Sequence, residues 1–83
     1  MRTYQRRLRA NIAAELGRND MTQAQAAARL GMTPGGMANR MNGKVDFRAG
    51  ELVLLSGVLH VPFSTLTAGV DELIEVGDAS VTS

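Results

Sequence analysis

The sequence predicts an all-α domain, a compact bundle of five short helices over residues 1–69. Three observations support this. Apolar residues recur at helical spacing in two segments, helix-start signals precede two other short segments, and 83 residues suffice for one small core only. That core must be aliphatic, because aromatic residues make up 4 % of the chain and none is Trp. Residues 70–83 are expected to form a short acidic extension, frayed or used in dimerisation.

The first helix is expected from about residue 3 to residue 17. Leu8, Ile12 and Leu16 recur every four residues and form one apolar stripe, with Ala13 beside them. An Asn-Asp pair follows at positions 19 and 20 and is expected to end the helix.

Two helix-start signals then follow on either side of a glycine. Thr22 can cap the second helix, and Gln25 stands three residues later, where its side chain can reach back to the Thr22 amide in a capping box. Gly31 can take the left-handed conformation that ends this helix. Thr33 is the second N-cap, and Pro34 occupies the first position of the third helix, where its missing N–H costs nothing.

Each of these two helices has one face that is expected to point inward. Ala27 and Leu30 provide it on the second helix, and Met37 and Met41 on the third. The opposite face of the third helix is small and polar, comprising Gly35, Ala38, Asn39 and Asn42. Two short helices joined by a tight turn form a helix-turn-helix unit, whose second helix can lie in the major groove of DNA.

The remaining apolar pattern predicts two further helices. A loop over residues 44–48 leads to a fourth helix, whose inward stripe comprises Leu52, Leu55, Val58 and Leu59. His60, Val61 and Pro62 interrupt it, with His60 as its carboxyl-terminal cap. A fifth helix, about residues 63–67, is expected to bury Phe63 and Leu66. Residues 70–76 are ambiguous between helix, edge strand and subunit contact.

The charges divide the chain into a basic and an acidic part. Residues 1–48 hold all nine Lys and Arg and three acidic residues, a net charge of +6, whereas residues 49–83 hold five acidic residues and no Lys or Arg, a net charge of −5. The basic part contains the helix-turn-helix, as expected if phosphates are its partner. Arg2, Arg6 and Arg9 either reach a flanking phosphate or a minor groove, or form an ordinary solvated face.

Composition argues against several other functions. The chain has one His and no Cys, and no nucleophile stands near a base, so we expect neither an enzyme nor a cofactor. Asp71 and Glu75 lie four residues apart but have no His beside them, so no metal site is expected. No apolar run is long enough to span a membrane, which favours a cytoplasmic protein.

The chain resembles the lambda-repressor-like, or Xre-type, helix-turn-helix family of phages and bacteria. The resemblance covers about residues 8–66 and rests on Leu8, Gln23, Ala27, Leu30, Gly31, Met37, Asn42, Gly43, Leu52, Leu55, Leu59, Val61, Phe63 and Leu66. It implies a five-helix domain that binds double-stranded operator DNA, commonly as a homodimer, and regulates transcription. A small phage or prophage repressor in a bacterial cytoplasm is the expected function, with no small-molecule ligand.

Two positions depart from the family pattern. Arg40 stands where an apolar residue is usual, so Met41 takes the inward role and the helix is expected to be rotated slightly. The recognition helix begins with Pro34, Gly35 and Gly36, where phage repressors commonly present polar side chains that read bases. Either the backbone approaches the DNA closely at these glycines, or the reading surface is weakened.

Eight residues are expected to contact DNA. Asn39 can pair with adenine through both amide atoms, and Arg40 can take guanine or a phosphate. Gln23 lies at a helix amino end, which favours a phosphate. Thr33 and Ala38 offer methyl groups that suit thymine. Asn42 and Lys44 are expected to lie along the next phosphates, and Gly35 completes the set.

A protein-interaction module, similar to an antitoxin or an anti-repressor, is the alternative function. In that interpretation the acidic residues 71–78 bind a basic protein and DNA reading is secondary.

Overall fold

The computed structural model describes residues 3–70, and within them it contains five helices and no strand. The helices are α1 (Thr3–Arg18), α2 (Gln23–Leu30), α3 (Pro34–Met41), α4 (Ala49–Leu59) and α5 (Phe63–Leu66). Helix α2 packs against α3 and α4, and α5 packs against α1 and α4. The all-α, five-helix prediction is confirmed. Arg2 and the expectations for residues 71–83 lie outside the described residues.

Helix α1 buries the predicted stripe of Leu8, Ile12 and Leu16. The placement of Ala13 beside this stripe was wrong, because Ala13 is exposed. A helix turns by about 100° per residue, so Ala13 points away from the side that the other helices cover. The covered flanks carry polar residues instead, namely Gln5 and Glu15, each 5 % exposed.

Small residues allow α2 to lie close to its neighbours. Ala26 and Ala27 are fully buried, although only Ala27 was predicted to face inward. Met37 of α3 is also fully buried, as predicted. Leu30 and Met41 are half-buried and pack at the margin of the core.

Helix α4 contributes three buried leucines to the core, as many apolar residues as α1 buries. Leu52, Leu55 and Leu59 are buried as predicted, whereas Val58 is half-buried. The helix ends at His60, whose left-handed backbone (φ 57°) lets its N–H bond the Gly57 and Ser56 carbonyls. His60 therefore acts as the predicted carboxyl-terminal cap through its backbone.

The buried phenylalanine is not the one that the sequence suggested. Phe63 is 42 % exposed, so its predicted burial was wrong, while Leu66 is fully buried as expected. Helix α5 is a single turn of four residues, and only the side facing α1 and α4 is covered. Phe47, in the loop before α4, is 4 % exposed and supplies the aromatic core residue.

Two side-chain amides on α1 connect it to distant parts of the chain. The Gln5 Oε1 atom accepts the Phe47 N–H at 2.9 Å, and the Gln5 Nε2 atom donates to the Phe47 carbonyl at 3.2 Å. The Asn11 Nδ2 atom donates to the Leu66 and Ala68 carbonyls at 2.8 and 3.0 Å. These bonds fix the loop before α4 and the end of α5 against α1.

Within residues 3–70, no helix has both the length and the hydropathy that crossing a membrane requires.

Gln5→Ala should lower the free energy of unfolding by about 1–3 kcal/mol, because the Phe47 N–H and carbonyl would remain buried without a partner. Thermal unfolding of the full chain measures this. Gln23→Ala removes an exposed glutamine and is the matched control, expected within about 0.5 kcal/mol of the unsubstituted protein. Equal thermal unfolding midpoints for Gln5→Ala and Gln23→Ala would contradict this role of Gln5.

Candidate nucleic-acid interface

The amino end of α2 is closed by the predicted capping box. The Thr22 Oγ1 atom accepts the Gln25 N–H at 3.1 Å, and the Gln25 Oε1 atom accepts the Thr22 N–H at 2.8 Å. Gln23 is exposed at the first position of the helix. The early amides of a helix have no partner within it, so Gln23 lies at an end of α2 that attracts anions.

A short turn connects α2 to α3. Gly31 takes the predicted left-handed conformation (φ 72°), and its N–H bonds the Ala27 and Ala28 carbonyls. The Met32 N–H also bonds the Ala27 carbonyl, at 2.8 Å. Only three residues, 31–33, separate the two helices.

The two glycines of α3 have different environments. The Thr33 Oγ1 atom accepts the Gly36 N–H at 3.0 Å, which confirms Thr33 as the N-cap. A Cβ atom added at Gly36 would lie 3.1 Å from both Met32 Cγ and Thr33 Oγ1, so packing within the domain explains this glycine. A Cβ atom at Gly35 would meet nothing within 4 Å. The domain itself therefore gives no reason for a glycine at position 35.

The outward side of α3 is the face expected from the sequence. Met37 anchors the helix in the core, and Gly35, Asn39 and Asn42 are exposed on the other side, with Ala38 half-buried among them. No charged residue belongs to this face. We refer to these four residues, Gly35, Ala38, Asn39 and Asn42, as the α3 outer face.

Arg40 does not belong to that surface, because its guanidinium group is held by α4. The Nε and Nη2 atoms donate to the two carboxylate oxygens of Glu51, each at 2.9 Å, and Nη1 donates to the Gly36 carbonyl at 2.9 Å. The side chains of Arg40 and Glu51 are 17 % and 18 % exposed. These bonds use three of the five N–H donors of the guanidinium group, so a two-point contact with guanine would compete with Glu51.

Glu51 also organises the start of its own helix. Its Oε1 atom accepts the Arg48 N–H at 2.9 Å, which satisfies one amide at the amino end of α4. Burial alone would raise the pKa of Glu51, but hydrogen bonds from Arg40 and from the Arg48 backbone outweigh burial and lower it. The hydrogen bond to Glu51 raises the pKa of Arg40. Both groups are therefore charged at neutral pH.

Cationic groups lie beside the carboxyl end of α3. Asn42 caps this end, and Gly43 follows with a positive φ of 84°. The exposed Lys44 comes next, and its N–H bonds the Asn39 carbonyl at 2.8 Å. Arg9 of α1 approaches the same point, because a Cβ atom at Gly43 would lie 3.3 Å from its guanidinium carbon. Arg9 was expected either to reach a flanking phosphate or to lie on a solvated face, and its position beside Gly43 could not be inferred because no local pattern relates residue 9 to residue 43.

All eight predicted contact residues are exposed or half-buried. Within residues 3–70, Arg40 is the one among them that forms an ion pair.

In the described part of the chain, no three His, Asp or Glu side chains come together as a metal site would need. Comparison of the chain with protein-family models, curated proteins and solved structures found no match.

Glu51→Gln should destabilise the protein at pH 7, and the difference from the unsubstituted protein should shrink as the pH falls through the folded-state pKa of Glu51. Because folding lowers the pKa of Glu51, its stabilising effect is complete above the carboxyl pKa of the unfolded chain, about 4.3, and is lost as the pH falls through the folded-state pKa. Urea unfolding between pH 7 and pH 3 measures the difference.

Arg40→Met is the partner variant for this test. When Arg40→Met is already present, adding Glu51→Gln should cause a much smaller pH-dependent loss of the free energy of unfolding, because the salt bridge is already absent. A difference between Glu51→Gln and the unsubstituted protein that stays constant from pH 7 to pH 3 would disprove the salt bridge as its cause.

Proposed function

We propose that this protein is a sequence-specific double-stranded DNA-binding regulator of transcription, a small phage or prophage repressor that acts in a bacterial cytoplasm. Helix α3 enters the major groove with its outer face towards the bases. One observation carries the proposal. An outward face of small uncharged residues, with the side chains of Asn39 and Asn42 exposed, belongs to the second helix of a tightly turned, doubly capped helix pair.

The dimensions of α3 suit a major groove. An α-helix with its side chains is about 10–12 Å across, which matches the major-groove width of about 12 Å, and the eight residues of α3 give a helix about 12 Å long. Small residues at positions 35 and 38 allow the helix axis to approach the base edges. Asn39 then provides an amide that can donate to adenine N7 and accept from adenine N6.

Groups at both ends of the helix pair are suited to phosphates. Gln23 and the amino end of α2 provide donors, while Lys44 and Arg9 provide positive charge beside the end of α3. Such contacts set the position on the duplex without reading its sequence. The net charge of +6 on residues 1–48 supports the same assignment.

Arg40 has a different part in this proposal from the one expected from sequence. Its bonds to Glu51 and to the Gly36 carbonyl connect α3 with the start of α4, so Arg40 fixes the orientation of α3. It is a positioning residue, and Asn39 remains the principal base reader.

The decisive experiment selects duplexes from a random DNA pool and titrates the selected sequence and a scrambled one at 50 and 200 mM salt. A specific complex should prefer the selected sequence by about 10³-fold or more and lose affinity steeply with salt. Equal affinity for the two sequences would refute specific reading and favour the interaction-module alternative.

Asn39→Ala should weaken preference at a single base pair by about 1–3 kcal/mol, whereas Lys44→Ala should weaken binding to all sequences alike and reduce the salt slope by about 1. Repeating the selection with both variants distinguishes these outcomes. An unchanged consensus for Asn39→Ala would exclude Asn39 as the base reader.

Gly35→Ala should raise the free energy of unfolding by about 0.5–1 kcal/mol, because alanine favours the helix and nothing obstructs its Cβ atom. The same change should weaken DNA binding about tenfold, or 1.4 kcal/mol, if the duplex backbone or bases contact this position closely. Gly36→Ala is the matched control, since its Cβ atom must displace Met32 or Thr33 and should bring no gain in stability. If Gly35→Ala is more stable and binds DNA as tightly as the unsubstituted protein, then the backbone does not approach the DNA closely at Gly35. The alternative, a weakened base-reading surface at the start of α3, would then be favoured.

A further inference from the structure

A mostly apolar cleft lies where α1, the loop before α4 and the chain after α5 meet. Its volume is about 420 Å³, within the roughly 300–1,000 Å³ of pockets that hold a ligand. Leu8, Phe47 and Leu52 line it and belong to the hydrophobic core. Tyr4 and Ala49 also line it and retain exposed surface. We refer to this space as the Phe47 cleft. An apolar side chain placed there would remove apolar surface from water and stabilise the domain.

Two walls of the Phe47 cleft are held together by hydrogen bonds. Gln5, which also lines the cleft, bonds the Phe47 N–H and carbonyl at 2.9 and 3.2 Å. These bonds fix the distance between α1 and the loop before α4. The cleft is therefore a built feature of the domain.

The described chain ends at this cleft. Val70, the last described residue, lines it and is 7 % exposed. Thirteen residues follow Val70 in the sequence. The fourth of them lies about 6 Å further along the chain in a helix and at most about 14 Å further in an extended segment. The residues directly after Val70 are therefore within reach of the cleft.

The six residues after Val70 combine apolar and acidic side chains, namely Asp71, Glu72, Leu73, Ile74, Glu75 and Val76. Ile74 stands four residues after Val70. Positions four apart lie on one face of a helix and also on one face of a strand. Because Val70 lines the cleft, Ile74 shares the cleft-facing side in either conformation. Ile74 is thus the residue best placed to enter the cleft.

Two arginines flank the cleft. Arg48 is part of its lining. The guanidinium carbon of Arg7 would lie 3.3 Å from a Cβ atom at Gly69, beside the backbone that leads to residue 71. Within residues 3–70, neither arginine forms an ion pair. Asp46 is the one acidic residue of the lining, so two cations stand against one anion. This balance favours an occupant that is apolar where it enters the cleft and acidic beside it.

We propose that residues 71–76 fold back into the Phe47 cleft of the same chain, with the Ile74 side chain packed against Phe47. Their acidic side chains then face Arg7 and Arg48. Direct attachment to the end of the described chain gives this segment an effective concentration in the millimolar range or above, which favours it over a second copy or a separate ligand. Hydrophobic burial supplies most of the gain, since exposed ion pairs contribute little.

This docking leaves the candidate nucleic-acid interface open. Arg7 and Arg9 are two residues apart on α1, and a helix turns by about 100° per residue, so their side chains leave opposite sides of the helix. Arg9 approaches Gly43 at the carboxyl end of α3, whereas Arg7 approaches Gly69. The docked segment is therefore independent of the proposed function.

Methyl NMR of the full chain tests the docking directly, because the chain contains two isoleucines, Ile12 and Ile74. Ile12 is fully buried and provides the reference signal. Nuclear Overhauser contacts are expected from the Ile74 δ-methyl group to the rings of Phe47 and Tyr4, unchanged on tenfold dilution. Absence of these contacts would overturn the proposal. Contacts that arise only between labelled and unlabelled chains would also overturn it, since a second copy would then occupy the cleft.

Ile74→Ser should lower the thermal unfolding midpoint by about 5 °C or more, because a buried apolar side chain is replaced by a small polar one. Val81→Ser makes a comparable change in the same terminal region, outside the docked segment, and should shift the midpoint by less than about 2 °C. Ile74→Val keeps most of the apolar surface and should fall between them. Equal midpoints for Ile74→Ser and Val81→Ser would overturn the proposal. The NMR measurement on the unsubstituted chain decides the matter even if Ile74→Ser does not fold.

DNA selection with the folded Ile74 variants separates this proposal from the proposed function. Ile74→Val should select the same duplex as the unsubstituted protein and bind it with equal affinity. Contacts between Ile74 and Phe47 in a protein that does not distinguish DNA sequences would overturn the proposed function and leave the docked segment standing. Sequence-specific binding by a protein whose Ile74 does not contact the cleft would do the opposite.

Discussion

The orientation of α3 depends on contacts made outside it, because this helix is too short to be stable alone. It has eight residues, two of them glycine, whereas isolated helices shorter than about 12–15 residues are marginal even with favourable sequences. Three kinds of contact compensate. The side chain of Thr33 caps its first turn, Met37 is fully buried beneath it, and Arg40 ties it to Glu51. The outward direction of Asn39 follows from these contacts.

The Glu51 carboxylate stabilises both the start of α4 and the orientation of α3. It accepts the Arg48 amide at the start of α4 and both donor groups of Arg40 from α3. Changing Glu51 consequently alters the start of one helix and the orientation of another. This coupling gives Arg40 a structural role, because its guanidinium group links the orientation of α3 to the start of α4.

Sequence alone predicted those features whose causes are local. The caps at Thr22 and Thr33 involve partners three residues away, and Gly31 acts through its own backbone, so each could be inferred from neighbouring residues. The Arg40–Glu51 pair spans eleven positions and the Gln5–Phe47 pair spans 42, and no pattern in the chain relates those residues. The burial of Phe47 and the exposure of Phe63 also result from tertiary packing. The other helices cover Phe47 and leave Phe63 exposed, and no local pattern in the sequence predicts this.

The two amide tethers of α1 also bear on how the chain folds during synthesis. The capped pair α2 and α3 is formed by contacts close in sequence, and all its residues are available once about half of the described chain has been made. Gln5, by contrast, must wait for Phe47, and Asn11 must wait for residues 66 and 68. Because domains fold as units and translation adds about 5–20 residues per second, α1 spends seconds outside the ribosome before its last partners emerge. Of the five described helices, the first to be synthesised is thus the last to have its tertiary contacts completed.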